Sequence, residues 1–335
     1  MPTKDIVAIG ASAGGVEAFQ RLCASLPADF PASLFVTQHL SASAKSVLPQ
    51  LLDRAGPLPA SSPRDGDRIE RGRIYVAAPD RHMLLREGKI LMRRGPNENR
   101  TRPAVNALFR SAAIAYGGRV IGVVLTGLLD DGTDGLIAIT AAGGTSVVQD
   151  PDDAEWPSMP RNALKRDHVD YAVPLAQLGD LLSRLVREEA NPSVPLPQEY
   201  CVEDRMAAQE FAVVESDIVT PGAPSHISCP DCGGVLNQID TQEEIRFRCQ
   251  VGHAFTPLGL AAAQGDELER ALAIAARTHR DRIRLFEQME ESAHVRGLPR
   301  AEGRWQRASL ESRHMVEVLE DAMASLRKPV ADGEG

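Results

Sequence analysis

Short apolar, β-branched runs alternate with helical patterns from residue 1 to about residue 190, and this alternation constrains the fold more than any other feature. Strands separated by helices are typical of a parallel sheet that is covered by helices on both faces. Six runs have strand character: Ile6–Ile9, Leu34–Thr37, Ile74–Ala77, Val120–Leu125, Ser146–Gln149 and Val169–Val173. We therefore predict an α/β fold with a doubly wound, mostly parallel sheet, closed by an amphipathic helix over Leu175–Glu189.

The composition changes after residue 190. Residues 191–225 are rich in proline and acidic side chains, which is typical of a linker, with a short helix near Glu203–Val214. Residues 226–257 hold a compact group of cysteines and a histidine, and helical periodicity follows, with a break near Arg296–Pro299. We predict a Rossmann-like domain over 1–190, an acidic linker over 191–225, a small Cys/His module over 226–257, a helical hairpin over 258–328 and a disordered tail over 329–335.

Charge and composition argue against several classes of protein. The chain has 37 basic and 46 acidic residues and only 4% aromatic residues, so neither a phosphate-binding surface nor base-stacking platforms are expected. No run of about 18 apolar residues is present for a transmembrane helix, and the first residues lack the pattern of a signal peptide. Five cysteines, an odd number, argue against a disulfide framework. We expect a cytoplasmic protein that does not bind nucleic acid.

The sharpest local motif is a small-residue turn between a strand and a helix, Gly10-Ala11-Ser12-Ala13-Gly14. A dinucleotide-binding loop would need glycine in place of Ser12 and an acidic residue after the second strand, where His39 follows Gln38. The pattern agrees better with a nucleophile elbow, which exposes a serine hydroxyl at the sheet edge. The N–H of Ala13, at the start of the helix, would then be a natural oxyanion donor. Tight strand–helix packing alone would also explain the glycines.

Two further chemical groups follow other predicted strands. His39 comes directly after the second strand, and Asp130, Asp131 and Asp134 follow the strand over Val120–Leu125. Ligands of open parallel sheets bind outside the carboxyl ends of the strands, so a serine, a histidine and an aspartate can meet there as a triad. The spacing leaves open which aspartate takes part.

These motifs resemble a known family. The segments VAIGASAGGVEAF, FVTQHL, IYVAAPDRHM, NRTRPAVNALFRSAA, VVLTGLLDDGTDGL and SMPRNAL are similar, in this order, to the catalytic domain of the CheB-type chemotaxis protein-glutamate methylesterases. The resemblance covers most of residues 5–185. It implies catalytic roles for Ser12, His39 and Asp131, with the oxyanion bound by backbone N–H groups of Ala13 and Leu128.

The resemblance also implies an activity. It implies hydrolysis of glutamyl methyl esters on methylated, receptor-like signalling proteins, and deamidation of glutamine, with no cofactor for catalysis. Family members usually carry an N-terminal receiver domain, which we do not expect here because the catalytic strand begins near Asp5. Where the family has Gly-Met-Gly, this chain has Gly127-Leu128-Leu129, so the pocket is expected to differ. The alternative is a non-catalytic regulatory protein that keeps this fold.

Three other residues lie in a family-like segment: Arg100, Arg102 and Asn106. They are candidates for lining the substrate cleft. A solvated loop and a helix cap are the alternative.

A second chemical motif lies in the Cys/His module. Cys229 and Cys232 form one short-spaced pair, and Cys249 and His253 follow after sixteen residues as another. Two such pairs around a hairpin-length insert are typical of tetrahedral zinc, and four protein ligands indicate a structural rather than a catalytic ion. The sequence predicts a zinc-ribbon-like module, although four ordinary thiol and imidazole side chains remain the alternative. Contact with another protein, through this module or the C-terminal helices, is the expected role.

Overall fold

A computed structural model describes residues 2–44, 46–166, 168–209, 221–240 and 245–326. The strands are β1 (Ile6–Ala11), β2 (Ser33–Gln38), β3 (Ala60–Ser61), β4 (Ile74–Val76), β5 (His82–Arg86), β6 (Lys89–Arg93), β7 (Val120–Val124), β8 (Thr145–Gln149), β9 (Tyr171–Val173), β10 (Ala223–Ser228), β11 (Val235–Asp240), β12 (Ile245–Cys249) and β13 (Ala254–Phe255). The α-helices are α1 (Gly15–Ser25), α2 (Leu48–Ala55), α3 (Val105–Tyr116), α4 (Thr133–Ala141), α5 (Ser158–Arg166), α6 (Leu175–Leu185), α7 (Gln198–Ala208), α8 (Pro257–Val295) and α9 (Pro299–Leu326).

Seven strands form one sheet in the order β3-β4-β2-β1-β7-β8-β9, and every neighbouring pair is parallel. Successive side chains of β1 enter opposite cores, because side chains alternate between the faces of a strand. Val7 and Ile9 pack with helices α1, α2 and α6, whereas Ile6 and Ala8 pack with α3, α4 and α5. The predicted doubly wound α/β fold is therefore confirmed.

The strand order places the predicted site residues at one edge of the sheet. From β1 the chain builds outward through β2 in one direction and through β7 in the other, so the order reverses between β1 and β7. Ligands of doubly wound sheets bind at such a reversal, outside the carboxyl ends of the strands. Ser12 follows β1 and His39 follows β2, while Asp131 lies a few residues beyond β7.

The segment predicted as a linker contains helix α7, which differs in its bounds from the predicted Glu203–Val214. The helix begins after Pro197, whose backbone is extended, and it ends at Ala208, because the next residue, Gln209, adopts the left-handed conformation. Ala207 and Ala208 pack in a small apolar cluster with Ala104 and Ala107 near the start of α3. Residues 210–220 lie outside the described part of the chain.

Tertiary contacts divide the chain into two compact units, Met1–Leu260 and Ala261–Gly335. The first unit includes the antiparallel sheet β10-β11-β12-β13, which carries the predicted metal ligands. In the second unit α8 and α9 form the predicted hairpin, in which the rings of Phe286 and Trp305 stack at 5.7 Å. The predicted disordered tail, 329–335, lies outside the described residues. Within the ranges given above, none of the helices is both long enough and apolar enough to cross a membrane.

One glycine of β1 sets how closely α3 approaches the sheet. A Cβ atom placed on Gly10 would lie 2.2 Å from Cγ1 of Val105, the first residue of α3. Gly10→Ala should therefore lower the free energy of unfolding by about 1–3 kcal/mol, the usual range for overpacking a core. Thermal unfolding of the full chain, followed by circular dichroism, measures the effect. Gly265→Ala on α8, where nothing lies within 4 Å of the added Cβ, is the control and should not lower the midpoint; equal midpoints for both variants would contradict the prediction.

Candidate active site and metal centre

Ser12 lies in the turn between β1 and α1, and its backbone is held from two neighbouring strands. Its N–H donates to the carbonyl of Thr126 (3.0 Å), and its own carbonyl accepts from the Gln38 side chain (2.7 Å) and from the N–H of Gly15 (3.0 Å). Gly14 adopts the left-handed conformation, with φ of 74°, which turns the chain sharply into the helix. The turn thus has the geometry expected of a nucleophile elbow.

His39 and Asp131 form a short, largely buried pair. The Nε2 atom of His39 lies 2.7 Å from Oδ2 of Asp131, and the exposed fractions of the two side chains are 14% and 3%. The carboxylate also accepts the backbone N–H groups of Val105 (2.7 Å) and Asn106 (3.2 Å), and the side-chain amide of Asn99 (3.2 Å). Four of the residues named here therefore hold the carboxylate of Asp131 in place, and that carboxylate in turn orients the imidazole of His39.

This environment favours the charged form of Asp131. Burial by itself would raise the pKa of the carboxyl group, but the hydrogen bond and charge of His39 and the N–H groups of Val105 and Asn106 outweigh it. The pKa of Asp131 is consequently held below its usual range. The group is an anion at neutral pH, as required to orient an imidazole and stabilise its protonated form.

Two helices that meet at the site cap each other. The N-cap residue of α3, Ala104, makes no side-chain cap, and the N–H groups at the start of α3 donate to Asp131, which precedes α4. In return Asn106, in the first turn of α3, accepts the N–H groups of Gly132 (2.9 Å) and Gly135 (2.8 Å). Each helix thereby satisfies N–H groups that have no partner within the other helix.

Ser12, His39 and Asp131 line one cavity of about 260 Å³. Its remaining wall consists of Asn99, Arg100, Thr101, Leu128 and Leu129. Leu129 has a positive φ of 62°, an uncommon conformation for a residue other than glycine. The structure therefore brings together the three side chains that the sequence predicts, in a cavity large enough for an extended side chain.

Comparison with known proteins identifies the family. The family model described as CheB methylesterase matches residues 7–182, which is more than half of the 335 residues. The chain belongs to the CheB methylesterase family. The resemblance that the motifs indicate is thereby confirmed.

Individual relatives agree with the family. A Leptospira interrogans protein, named a putative protein-glutamate methylesterase/protein-glutamine glutaminase, is 34% identical over 182 residues, covering 54% of this chain and 94% of that protein. Protein-glutamate methylesterase/protein-glutamine glutaminase 2 of Methanosarcina mazei is 35% identical over 192 residues, covering 55% of this chain. The chain spans about half the length of that archaeal relative, 52%. The crystal structure of the Thermotoga maritima CheB methylesterase catalytic domain matches with a TM-score of 0.52 and 31% identity, covering 54% of this chain and 98% of that one.

The other predicted residues of the methylesterase-like domain have distinct positions. Leu128 lines the cavity, and Ala13 follows Ser12 directly. Arg100 also lines the cavity, whereas the Arg102 side chain donates to Asp80 (2.9 Å). Asn106 is a cap for α4, which is one of the two roles expected for it.

The four predicted metal ligands converge in the antiparallel sheet. One ligand atom from each of Cys229, Cys232, Cys249 and His253 lies within 4.8 Å of all the others. The sulfurs of Cys232 and Cys249 are 3.7 Å apart, and Nδ1 of His253 lies 3.5 Å from the sulfur of Cys249 and 3.7 Å from that of Cys229. Tetrahedral zinc, with ligand bonds of about 2.0–2.3 Å, implies separations of about 3.6–3.8 Å. The cluster therefore has the size and donor set for a metal ion.

A second layer of contacts supports the imidazole ligand. On the far side of the ring, Nε2 of His253 lies 3.9 Å from a carboxylate oxygen of Asp231, whose same oxygen is 3.5 Å from the side-chain amide of Asn97. A carboxylate behind a ligating histidine is common in metal sites, where it orients the ring. Here it also joins the module to a loop of the methylesterase-like domain.

Buried ion pairs join the module to the same domain. Glu98 accepts hydrogen bonds from Arg110 on α3 and Arg248 on β12 (2.5 and 3.3 Å), and Glu203 on α7 accepts from Arg246 (2.9 Å). All five side chains are at most 8% exposed. Burial by itself would raise the pKa of Glu98, but the charges of Arg110 and Arg248 outweigh it and lower the pKa to about 2. Sequence reasoning missed this network, because its partners are far apart in the chain.

The lowered pKa of Glu98 predicts an acid-dependent stability. A carboxyl group whose pKa is lower in the folded chain stabilises it fully above its unfolded value, about 4.5, and this stabilisation is lost as the pH falls toward 2. Urea unfolding at a series of pH values should show a steeper decline for the wild type than for Glu98→Gln in that window. The variant should also be less stable at neutral pH, by roughly 3–5 kcal/mol, since it leaves buried arginines uncompensated. Glu70→Gln, at a position with a 61% exposed side chain, is the control and should keep the wild-type slope.

Proposed function

We propose that this member of the CheB methylesterase family hydrolyses methyl esters of glutamyl side chains, with Ser12, His39 and Asp131 as its catalytic triad. The observation that carries the proposal is the 2.7 Å contact between His39 and Asp131 in a cavity that Ser12 also lines. Family membership supports the same chemistry, since relatives carry the name protein-glutamate methylesterase/protein-glutamine glutaminase. A methylated, receptor-like signalling protein is the proposed substrate.

The proposed reaction is acyl transfer in two steps. The Ser12 oxygen attacks the γ-carbonyl carbon of the ester while His39 accepts the serine proton, and the resulting tetrahedral intermediate carries a negative oxygen. The intermediate collapses when its bond to methoxide breaks, and His39 donates the proton to form methanol. Water then attacks the acyl-enzyme with His39 as base, which frees the glutamate and restores Ser12. The same steps on glutamine would release ammonia.

The surrounding groups support these roles. Because Nε2 of His39 bonds to Asp131, Nδ1 is the ring nitrogen that would exchange a proton with Ser12. The N–H of Ala13, at the N-terminal end of α1, and that of Leu128 are proposed to bind the oxyanion. A Cβ placed on Gly127 would lie 2.9 Å from Cβ of Ser12, so the turn carrying Leu128 runs directly beside the nucleophile. The proposed steps use only side chains, backbone groups and water.

Methanol release from a methylated chemoreceptor fragment tests the proposal. The wild type should release methanol and should react with a serine-directed fluorophosphonate, whereas Ser12→Ala should do neither. Asp131→Asn should lose about 10⁴-fold in turnover, since the imidazole is then held in the wrong tautomer. Ser43→Ala changes an exposed serine that contacts Ser41, and it is the control that should match the wild type. A wild type that releases no methanol and stays unlabelled would favour the non-catalytic alternative.

We also propose that Cys229, Cys232, Cys249 and His253 hold a structural zinc ion. The match between the ligand separations and a tetrahedral ion supports this, and four protein ligands leave no open position for a substrate. Zinc would supply much of the folding free energy of a module this small.

Metal analysis of the purified chain tests the zinc site. After gel filtration the wild type should retain one zinc per chain, because four ligands close the coordination sphere. Cys249→Ser should lose the zinc and lower the midpoint of thermal unfolding. Cys201→Ser is the matched control, since Cys201 is an exposed thiol on α7 outside the cluster. Zinc retained by Cys249→Ser at the wild-type ratio would count against the site.

A further inference from the structure

A loop of the methylesterase-like domain, residues 97–101, pairs with the strand that leaves the metal cluster. The N–H of Asn99 donates to the carbonyl of Ala254 (2.8 Å), and the N–H of Ala254 donates to the carbonyl of Asn97 (3.2 Å). Ala254 directly follows the ligand His253. Because Asn99 also lines the cavity of Ser12, one short loop contacts both the metal module and the candidate active site.

The side chain of Asn99 connects the two sites through its two polar atoms. Its oxygen accepts the N–H of Thr256 (3.0 Å), and its nitrogen donates to Oδ1 of Asp131 (3.2 Å). The residue is buried and has a positive φ of 47°, a conformation that asparagine tolerates better than most residues. One amide group is thus held by the module on one side and holds the catalytic carboxylate on the other.

A second contact runs parallel to the first. The hydroxyl of Thr256 donates to Oδ1 of Asp130 (2.9 Å), the neighbour of Asp131 in the turn before α4. Asp130 is fully buried. The turn that carries the catalytic carboxylate is therefore joined to residues 254–256 twice, once directly and once through Asn99.

Residues 254–256 directly follow His253, a member of the metal-ligand cluster. β13 is only two residues long, and the N–H of Cys249 closes the turn that leads into it by donating to the carbonyl of His253 (3.0 Å). A bound ion would fix Cys249 and His253 at the two ends of this turn, and the free energy of metal binding would stabilise it. Loss of the metal should release Thr256 from Asn99, and the asparagine amide would lose the partner that orients it.

We propose that Asn99 is a positioning residue that connects two sites. Through its side chain, a metal ion bound by Cys229, Cys232, Cys249 and His253 holds Asp131, and thereby His39, in the orientation that the reaction needs. This inference rests on the esterase and metal site proposed above. With the ion bound, the amide of Asn99 fixes the carboxylate and thereby the imidazole. With the ion removed, the carboxylate keeps its helix N–H donors but loses the side-chain donor that faces the cavity.

The test uses the full chain and two readouts, the rate of Ser12 labelling by a fluorophosphonate and the zinc dissociation constant from competition with a chromophoric chelator. Labelling is measured with zinc bound, after chelation and after zinc is restored. In the zinc-bound state Asn99→Ala should label roughly 10–100-fold more slowly and bind zinc about tenfold more weakly, as when outer-sphere partners of other metal sites are removed. Chelation should slow Ser12 labelling of the wild type to a rate similar to that of zinc-bound Asn99→Ala. It should slow labelling of Asn99→Ala much less, since zinc removal and the substitution break the same connection.

A second variant separates the two ends of the connection. Asn99→Asp keeps the oxygen that accepts from Thr256 but replaces the donor to Asp131 with a second negative charge. It should label at least about tenfold more slowly while its zinc dissociation constant stays near the wild-type value. Asn191→Ala, which removes an exposed amide bonded to the Gly143 carbonyl, is the control and should match the wild type in both readouts.

The outcomes distinguish this inference from the esterase proposal. Equal labelling of the wild type with and without zinc, or wild-type labelling by Asn99→Ala, would overturn the coupling while the esterase proposal stands. If no chain labels and no methanol is released with zinc bound, the esterase proposal fails. If the esterase proposal fails in this way and Asn99→Ala also binds zinc as tightly as the wild type, the coupling between the metal cluster and Asp131 is overturned as well. Circular dichroism establishes that each variant is folded before the rates are compared.

Discussion

The carboxylate of Asp131 is the centre on which the candidate site depends. It receives the imidazole of His39, the first N–H groups of α3 and the amide of Asn99, and all of these donors lie 25 or more positions away from Asp131 in the chain. A buried anion is costly unless it is hydrogen-bonded, and here the donors outweigh the effect of burial on its pKa. The same contacts that keep the group charged also leave it only one orientation.

The residues that hold the candidate site in place therefore also stabilise the fold. Asp131 caps α3 and Asn106 of α3 caps α4, so the pair of helices closes around the carboxylate. A change at either residue would leave buried N–H groups without acceptors, which is expensive in free energy, and would also disturb the proposed triad. Glycine at position 10 of β1 belongs to the same arrangement, because it allows α3 to bring its N-terminus to the end of the sheet.

The sequence predicts some of this site and not the rest, for physical reasons. Strand–helix alternation predicts the parallel sheet, and in such a sheet Ser12 and His39 must lie at one edge because each directly follows a strand. The candidate metal ligands are predictable because the spacing within each pair is local. The aspartate could be chosen among three neighbours only through a family resemblance, since all three follow the same strand. Local spacing does not predict the role of Asn99, because the partners of its side chain lie 32 and 157 positions away.

The buried ion pairs have a different role from the apolar cores. Removing Glu98 and its two arginines from water has a desolvation cost that an apolar contact would not have. These ion pairs therefore do not by themselves indicate a higher free energy of unfolding. Their geometry is directional: Arg110 of α3 donates to both carboxylate oxygens of Glu98, and Arg248 of the module donates to one of them. Glu98 also immediately precedes Asn99. Because the ion pairs of Glu98 form in only one arrangement, they determine where Asn99 lies. The side-chain amide of Asn99 needs that position to reach both Thr256 and Asp131. The 3.2 Å hydrogen bond from Asn99 to Asp131 depends on that placement, because hydrogen bonds weaken steeply when their distance or angle changes.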